Sequence, residues 1–354
     1  MDSNDNEIGL IYQYHGYYDS ALEYLEMALT ILKNVLDENY SDDVAASYNN
    51  IGLLYNCQSE YDKALEYLDK ALTINKAVHG ENHPDVASNY NNIGLVYTDQ
   101  GCYDKAIEYF EKALIIEKTI FGENHTHVAS IYYNISSVYN DLSNYDEALK
   151  YLEIAKTIKK NVHGEKHPHL AIIYKSIGNV YIKQNKHDEA LEYYNKALII
   201  QKAINGDGHP EVAGNYNGIG AVYYDNGNFD KALEYYDKAL VIWIDVFGEN
   251  NLNTAITYNN IGNLFSKQGN YEKALEYHGK ALIIQRTLFG ENHPGVARSY
   301  FNIGILFQKQ SDYSVALENY QKCYEIRKSA LGEDNPETIQ TKERIEEIRA
   351  KMAE

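Results

Sequence analysis

The chain has 354 residues, 44% of them hydrophobic, five prolines and no low-complexity tract; that suits two or three globular domains or one long repeat array, and excludes wholesale disorder. Its formal net charge is −19 and its pI about 5.0, so it repels a phosphate backbone and nucleic acid is not an expected partner. Three cysteines, Cys57, Cys102 and Cys323, form no CxxC and no even framework, which points to a reducing compartment.

The opening, MDSNDNEIGLIYQYHG, has neither a basic region nor an apolar core, so no secretory leader is expected. Apolar runs stop at four or five residues, as in ALII, so no membrane span is expected and the cytoplasm is the expected location. The glycosylation sequons at Asn124 and Asn134 then carry no weight.

From there the chain repeats itself. The glycine of an "IG" pair falls at Gly9, Gly52, Gly94, Gly178, Gly220, Gly262 and Gly304, with Ser136 in the gap; from Gly52 onward the interval is 42 residues. A fixed period in this range marks a solenoid. Each unit predicts two helices. Helix A reads like DVASNYNNIGLVYTDQ, with Val86, Tyr90, Ile93, Gly94 and Tyr97 at three- and four-residue spacings, and Gly101 breaks it. Helix B reads like YDKAIEYFEKALIIEKTIF, with Ala106, Ile107, Phe110, Ala113, Leu114 and Ile116 facing inward. Glu108 and Lys112, four apart in the favourable order, recur as Glu66/Lys70, Glu192/Lys196, Glu234/Lys238 and Glu276/Lys280. The expected units are a shortened first one over 1–42, then 43–84, 85–126, 127–168, 169–210, 211–252, 253–294 and 295–336, closed by a polar capping helix over 337–354. The first unit begins inside its helix A, as if the array were cut from a longer protein.

These residues resemble the tetratricopeptide repeat. Its pattern of W-x2-L-G-x2-Y, then A-x3-F, then A, falls on Tyr90, Ile93, Gly94 and Tyr97, then Ala106 and Phe110, then Ala113. The unit is longer than the usual 34 residues, and Lys118 stands where a proline would close helix B, so helix B runs on about two more turns. A 42-residue unit with a G-x-x-HP-x-VA joint is similar to the kinesin light chain and nephrocystin type. The resemblance implies an all-α, right-handed α-solenoid of stacked antiparallel helix pairs whose A helices line a concave groove.

The joint contains His83, His125, His167, His209 and His293, with Asn251 and Asn335 in other units. Pro84 and its equivalents suit the first helical position, Gly80 a left-handed stop, and Asp85 the helix dipole. The histidines are therefore read as structural, with no metal and no cofactor assigned. His163/His167/His169 is the one cluster singled out for a zinc test, and His79 is expected to pack like the phenylalanines at its position.

Candidate binding residues are those on the implied groove that packing does not explain. An asparagine ladder runs through Asn49, Asn50, Asn91, Asn92, Asn134, Asn217, Asn259, Asn260 and Asn302, with Asn179 and Asn263 nearby. Helical propensity does not ask for asparagine there. Its amide suits the backbone of an extended peptide, or equally a bridge between neighbouring A helices. Asp99 and Asp141 lie on the early units, whereas Lys175, Lys183, Lys267, Arg298 and Lys309, against Asp225, lie on the later ones. That polarity predicts acidic segments docking toward the C-terminal half. The carboxylate clamp of chaperone-binding relatives begins well in Lys175 to Asn179 but fails at Gly218 and at Ile256 with Asn260, so chaperone tails are not expected. No phosphate-binding glycine loop, no G-x-S-x-G and no nucleophile beside a histidine outside the joint appear, so no enzyme activity is expected. The expected role is a scaffold or adaptor for extended peptide segments of a protein partner. A kinesin light chain-like cargo adaptor, a regulatory arm of a larger signalling protein and a homotypic assembly surface are the alternatives; the oligomeric state stays open.

Overall fold

The computed structural model describes residues 18–35 and 41–353, which form sixteen α-helices and no strand. They are α1 Tyr18–Val35, α2 Asp42–Cys57, α3 Tyr61–His79, α4 Pro84–Asp99, α5 Tyr103–Phe121, α6 Thr126–Asp141, α7 Tyr145–His163, α8 Pro168–Lys183, α9 His187–Asn205, α10 Pro210–Asp225, α11 Phe229–Phe247, α12 Leu252–Lys267, α13 Tyr271–Phe289, α14 Pro294–Lys309, α15 Tyr313–Leu331 and α16 Pro336–Ala353. The expected first A helix around Gly9 lies outside the described residues. Two compact units form, Met1–Val180 and Tyr181–Glu354, dividing within α8. Each is an all-α stack of helix pairs.

From α2 to α15 the even-numbered helices are A helices of 16 residues and the odd-numbered ones B helices of 19. Each repeat starts at the proline position, one residue before the expected limit at 85. Helix B passes Lys118 and ends at Phe121, as the missing proline predicts.

The IG glycine sets the distance between A and B. A β-carbon at Gly94 would lie 2.7 Å from the ring of Phe110, and one at Gly220 would lie 2.7 Å from that of Tyr236. Phe110 is wholly buried, as are its equivalents Tyr194 and Tyr320. At the edge of five of the pairs, one B-helix tyrosine meets two A-helix rings. Tyr109 lies 5.9 Å from Tyr90 and 5.5 Å from Tyr97, and Tyr277 lies 5.8 Å from Tyr258 and 5.6 Å from Phe265. Lys112 and Lys280 lie over these tyrosines while bonding Glu108 and Glu276 at 2.7 Å. α16 closes the second unit: Ile345 and Ile348 are buried beside Tyr320, and its outer face is polar.

Candidate functional site

The joint histidines are side-chain caps. The Nδ1 atoms of His83, His125, His167, His209 and His293 accept the backbone N–H two residues on, at 3.0–3.3 Å. Asn251 and Asn335 do the same through Oδ1 at 2.9 Å. Asparagine and histidine therefore alternate at this position because both offer an acceptor to an orphan helix N–H. The aromatic reading of His79 also holds in the geometry: it stacks on His83 at 4.0 Å, as Phe121 stacks on His125 and Phe289 on His293.

Six of the ladder asparagines form rungs between successive A helices. Asn92 donates to Asn49 at 2.8 Å, Asn134 to Asn91 at 2.7 Å, and Asn260 to Asn217 at 3.2 Å, each 43 residues apart. Tyr133 and Ser176 make the same rung at 3.0 Å. A second rung of equal spacing runs two turns further along. Asn56 donates to Asp99 at 2.6 Å, Lys309 to Ser266 at 3.0 Å, and Lys267 lies over the ring of Tyr224 at 5.6 Å. Bridging thus accounts for part of each amide's capacity. A side-chain amide has two donors and an acceptor oxygen. The rung asparagines Asn49, Asn91, Asn92, Asn134, Asn217 and Asn260 are half-buried, as are Asn50, Asn263, Asn302 and Lys175.

Asn259 is a correction. It occupies the register of Asn49 and Asn91, yet it is 4% exposed and belongs to the core. Its Oδ1 lies 2.8 Å from Nδ1 of His278, and its Nδ2 donates to Ser299, which donates to Gln285. In this repeat the ring position is a histidine, whose polar nitrogen draws the neighbouring amide inward.

Asn179, Lys183, Lys267, Arg298 and Lys309 are exposed. Around Asp225, desolvation raises the carboxyl pKa, while His187, Lys267 and Lys183 act to lower it. Burial also raises that of Asp99, against the hydrogen bond from Asn56.

One set escaped the sequence reading. The position after the buried isoleucine near the end of helix B is Asn75, Glu117, Lys159, Gln201, Trp243, Gln285 and Arg327, and every one is buried. Each polar member that finds a side-chain partner does so at or near the joint. Asn75 donates to Asn89 at 2.6 Å, Glu117 meets His127 at 3.1 Å, and Arg327 meets Glu337 at 2.9 Å and Thr341 at 2.8 Å. Lys159 sits among Thr126, Ser130 and His169. The signal was there in the residues: Ala64, Leu68, Ala71 and Asn75 continue one inward seam.

His163/His167/His169, singled out for a zinc test, contains this ammonium: Lys159 Nζ lies 3.4 Å from His169 Nδ1. Desolvation, then His163 and Lys159, hold the His167 pKa low, and desolvation, then Lys159, lowers that of His169. Among the described residues the metal-capable groups are instead His79/His83/Asp85 and Glu117/His125/His127.

No helix among the described residues is long and apolar enough to cross a membrane. Comparison with curated proteins finds no match. In solved structures the chain is similar to BtubC (BKLC) from P. vanneervenii, at 20% identity and TM-score 0.50, covering 67% of this chain and 92% of that one. It is similar to a Rap protein described as complexed with Competence and Sporulation Factor, at 16% identity and TM-score 0.61, covering 93% and 98%. It is also similar to the apo form of the quorum sensor NprR from B. thuringiensis, at 20% identity and TM-score 0.63, covering 90% and 88%. The tetratricopeptide repeat pattern matches residues 3–76, 43–116, 85–153, 127–203, 211–282 and 260–329, and a second form of it matches 175–245. The chain belongs to the tetratricopeptide repeat family.

Proposed function

We propose that this is a non-catalytic scaffold that holds an extended segment of a protein partner along its A-helix row, with a preference for acidic segments in the second unit. One observation carries the reading. In a chain of net charge −19, the exposed side chains of Lys183, Lys267, Arg298 and Lys309 all project from A helices of that unit. The half-buried amides of Asn260, Asn263 and Asn302 lie on the same helices and supply donors and acceptors for a main chain. Electrostatic attraction of this kind selects partners and speeds encounter more than it raises affinity.

A second reading is a sensor or regulatory arm of a larger signalling protein. It is favoured by likeness to a Rap protein described as complexed with Competence and Sporulation Factor and to the quorum sensor NprR. The cargo-adaptor alternative rests on the repeat type alone.

The test is a peptide-display screen of wild type against a Lys183→Ala, Lys267→Ala, Arg298→Ala variant, which leaves the asparagine rungs intact. Wild type should enrich extended acidic peptides, with binding that weakens as salt rises, and the variant should not. Equal enrichment by both proteins, or none by either, overturns the proposal.

A further inference from the structure

We propose that Asp42, His79, His83 and Asp85 form a binding site for one divalent transition-metal ion of the zinc class. The four side chains come from three helices: Asp42 from the first turn of α2, His79 from the last residue of α3, Asp85 from the first turn of α4, and His83 from the cap before α4. His79 Nε2 lies 2.8 Å from Asp42 Oδ1 and 3.8 Å from Asp85 Oδ2, and His83 Nδ1 lies 3.4 Å from Asp85 Oδ2. Zinc bonds of about 2.0–2.2 Å at tetrahedral angles place donor atoms about 3.3–3.6 Å apart. The donor atoms of His79, His83 and Asp85 all lie within 4.8 Å of one another, and Asp42, beside His79, would close on the ion as the fourth ligand. Two imidazoles and two carboxylates suit an ion of this softness, and the two carboxylates balance its charge. His83 would turn out of its stack on His79 and give up the hydrogen bond it accepts from the Asp85 N–H, which at 3.3 Å is among the longest caps in the chain. Asp85 is exposed, so water can take over that N–H.

The chain contains its own controls. His163 stands to Thr126 as His79 stands to Asp42, 37 residues apart, with His163 Nε2 3.2 Å from the Thr126 hydroxyl. There a hydroxyl replaces one carboxylate, His169 replaces the other, and the Lys159 ammonium lies beside it. A cation is repelled from that joint although it is richer in histidine. At the intervening joint Glu117, His125 and His127 converge, but Phe121 stands where His79 would supply a fourth donor. Counting imidazoles favours His163/His167/His169, whereas counting neutralising carboxylates favours Asp42/His79/His83/Asp85. An ion there would tie the first turns of two successive A helices to the end of the helix B between them.

The test titrates the chelator-stripped full chain with Co2+, read by the visible absorption of tetrahedral cobalt, and then displaces it with Zn2+ under calorimetry. One equivalent should bind. His79→Phe, which installs the ring found at this position in other joints, and Asp42→Asn should each weaken binding more than about 100-fold with unchanged circular dichroism. Glu117→Gln and His163→Phe should bind as wild type. Wild-type affinity in His79→Phe, or no binding beyond weak surface-histidine affinity, overturns the site. Loss in Glu117→Gln with retention in Asp42→Asn overturns it too, placing the ion at Glu117/His125/His127.

Discussion

His278 Nδ1 lies 2.8 Å from the Asn259 side-chain oxygen, with both residues buried between α12 and α13. The contact joins a ring position, elsewhere Phe110 or Tyr236, to a ladder position, elsewhere half-buried, and it makes this repeat sensitive to acid. Desolvation lowers the His278 pKa from 6.5 to about 4. The unfolded chain therefore takes up the proton first. Stability contributed by neutral His278 is complete above pH 6.5 and is lost progressively as pH falls toward 4. The loss is on the order of 3 kcal/mol, and about 2 kcal/mol of it is gone by pH 5. Denaturant melts of wild type and His278→Phe at pH 7.5 and pH 5 should show a smaller pH effect in the variant. An equal drop in both would refute the assignment.

Gly94 leaves no room for a methyl group. Three ring atoms of Phe110 lie within 3.0 Å of where a β-carbon would stand. Gly94→Ala should destabilise the first unit by about 1–3 kcal/mol through overpacking. Gly94→Ala with Phe110→Ala should cost less than the sum of the two single substitutions, since removing the ring removes all three atoms that the new methyl group would meet; a leucine would not do so, because Leu68 leaves Gly52 no more room in the preceding repeat. The check is a double-mutant cycle by denaturant melt, in which strict additivity would sink the explanation.

The turn between A and B needs a left-handed residue. Gly101, Gly227 and Gly269 supply it, but Ser59, Ser143 and Ser311 adopt φ of 63°, 58° and 62°. Each serine carries a steric cost that glycine lacks, partly offset by the greater chain entropy of unfolded glycine. Ser59→Gly, Ser143→Gly and Ser311→Gly should each stabilise by about 0.5–1 kcal/mol, read as a rise in denaturation midpoint at constant slope.

The capping role predicts a ranking at the joint. His125→Asn should be nearly neutral, because Asn251 and Asn335 already cap helices there. His125→Ala should cost about 1 kcal/mol. Thermal melts of the two variants decide it, and equal destabilisation would mean the ring stack on Phe121 matters more than the acceptor.

Much of this protein is legible in its sequence, because the features concerned are local or recur. The 42-residue period, the inward seam of Ala106, Phe110 and Ala113, and the proline start with its left-handed stop each follow from backbone geometry within a few residues. Repetition shows such a requirement seven times over, so the residues alone specify the fold class and the two helices of each unit.

The tertiary structure decided which side chains meet. Asn49 and Asn259 hold the same place in the repeat, but only packing shows that one forms a rung with Asn92 while the other is drawn into the core by His278. Lys159 and His169 are ten residues apart in sequence, and nothing local reveals the ammonium inside a histidine cluster. Asp42 reaches His79 across 37 residues. Periodicity specifies where a side chain points, since that is a property of its own helix. Hydrogen-bond partners and charge environment belong to the neighbouring helix as well, and they exist only once the pairs have stacked.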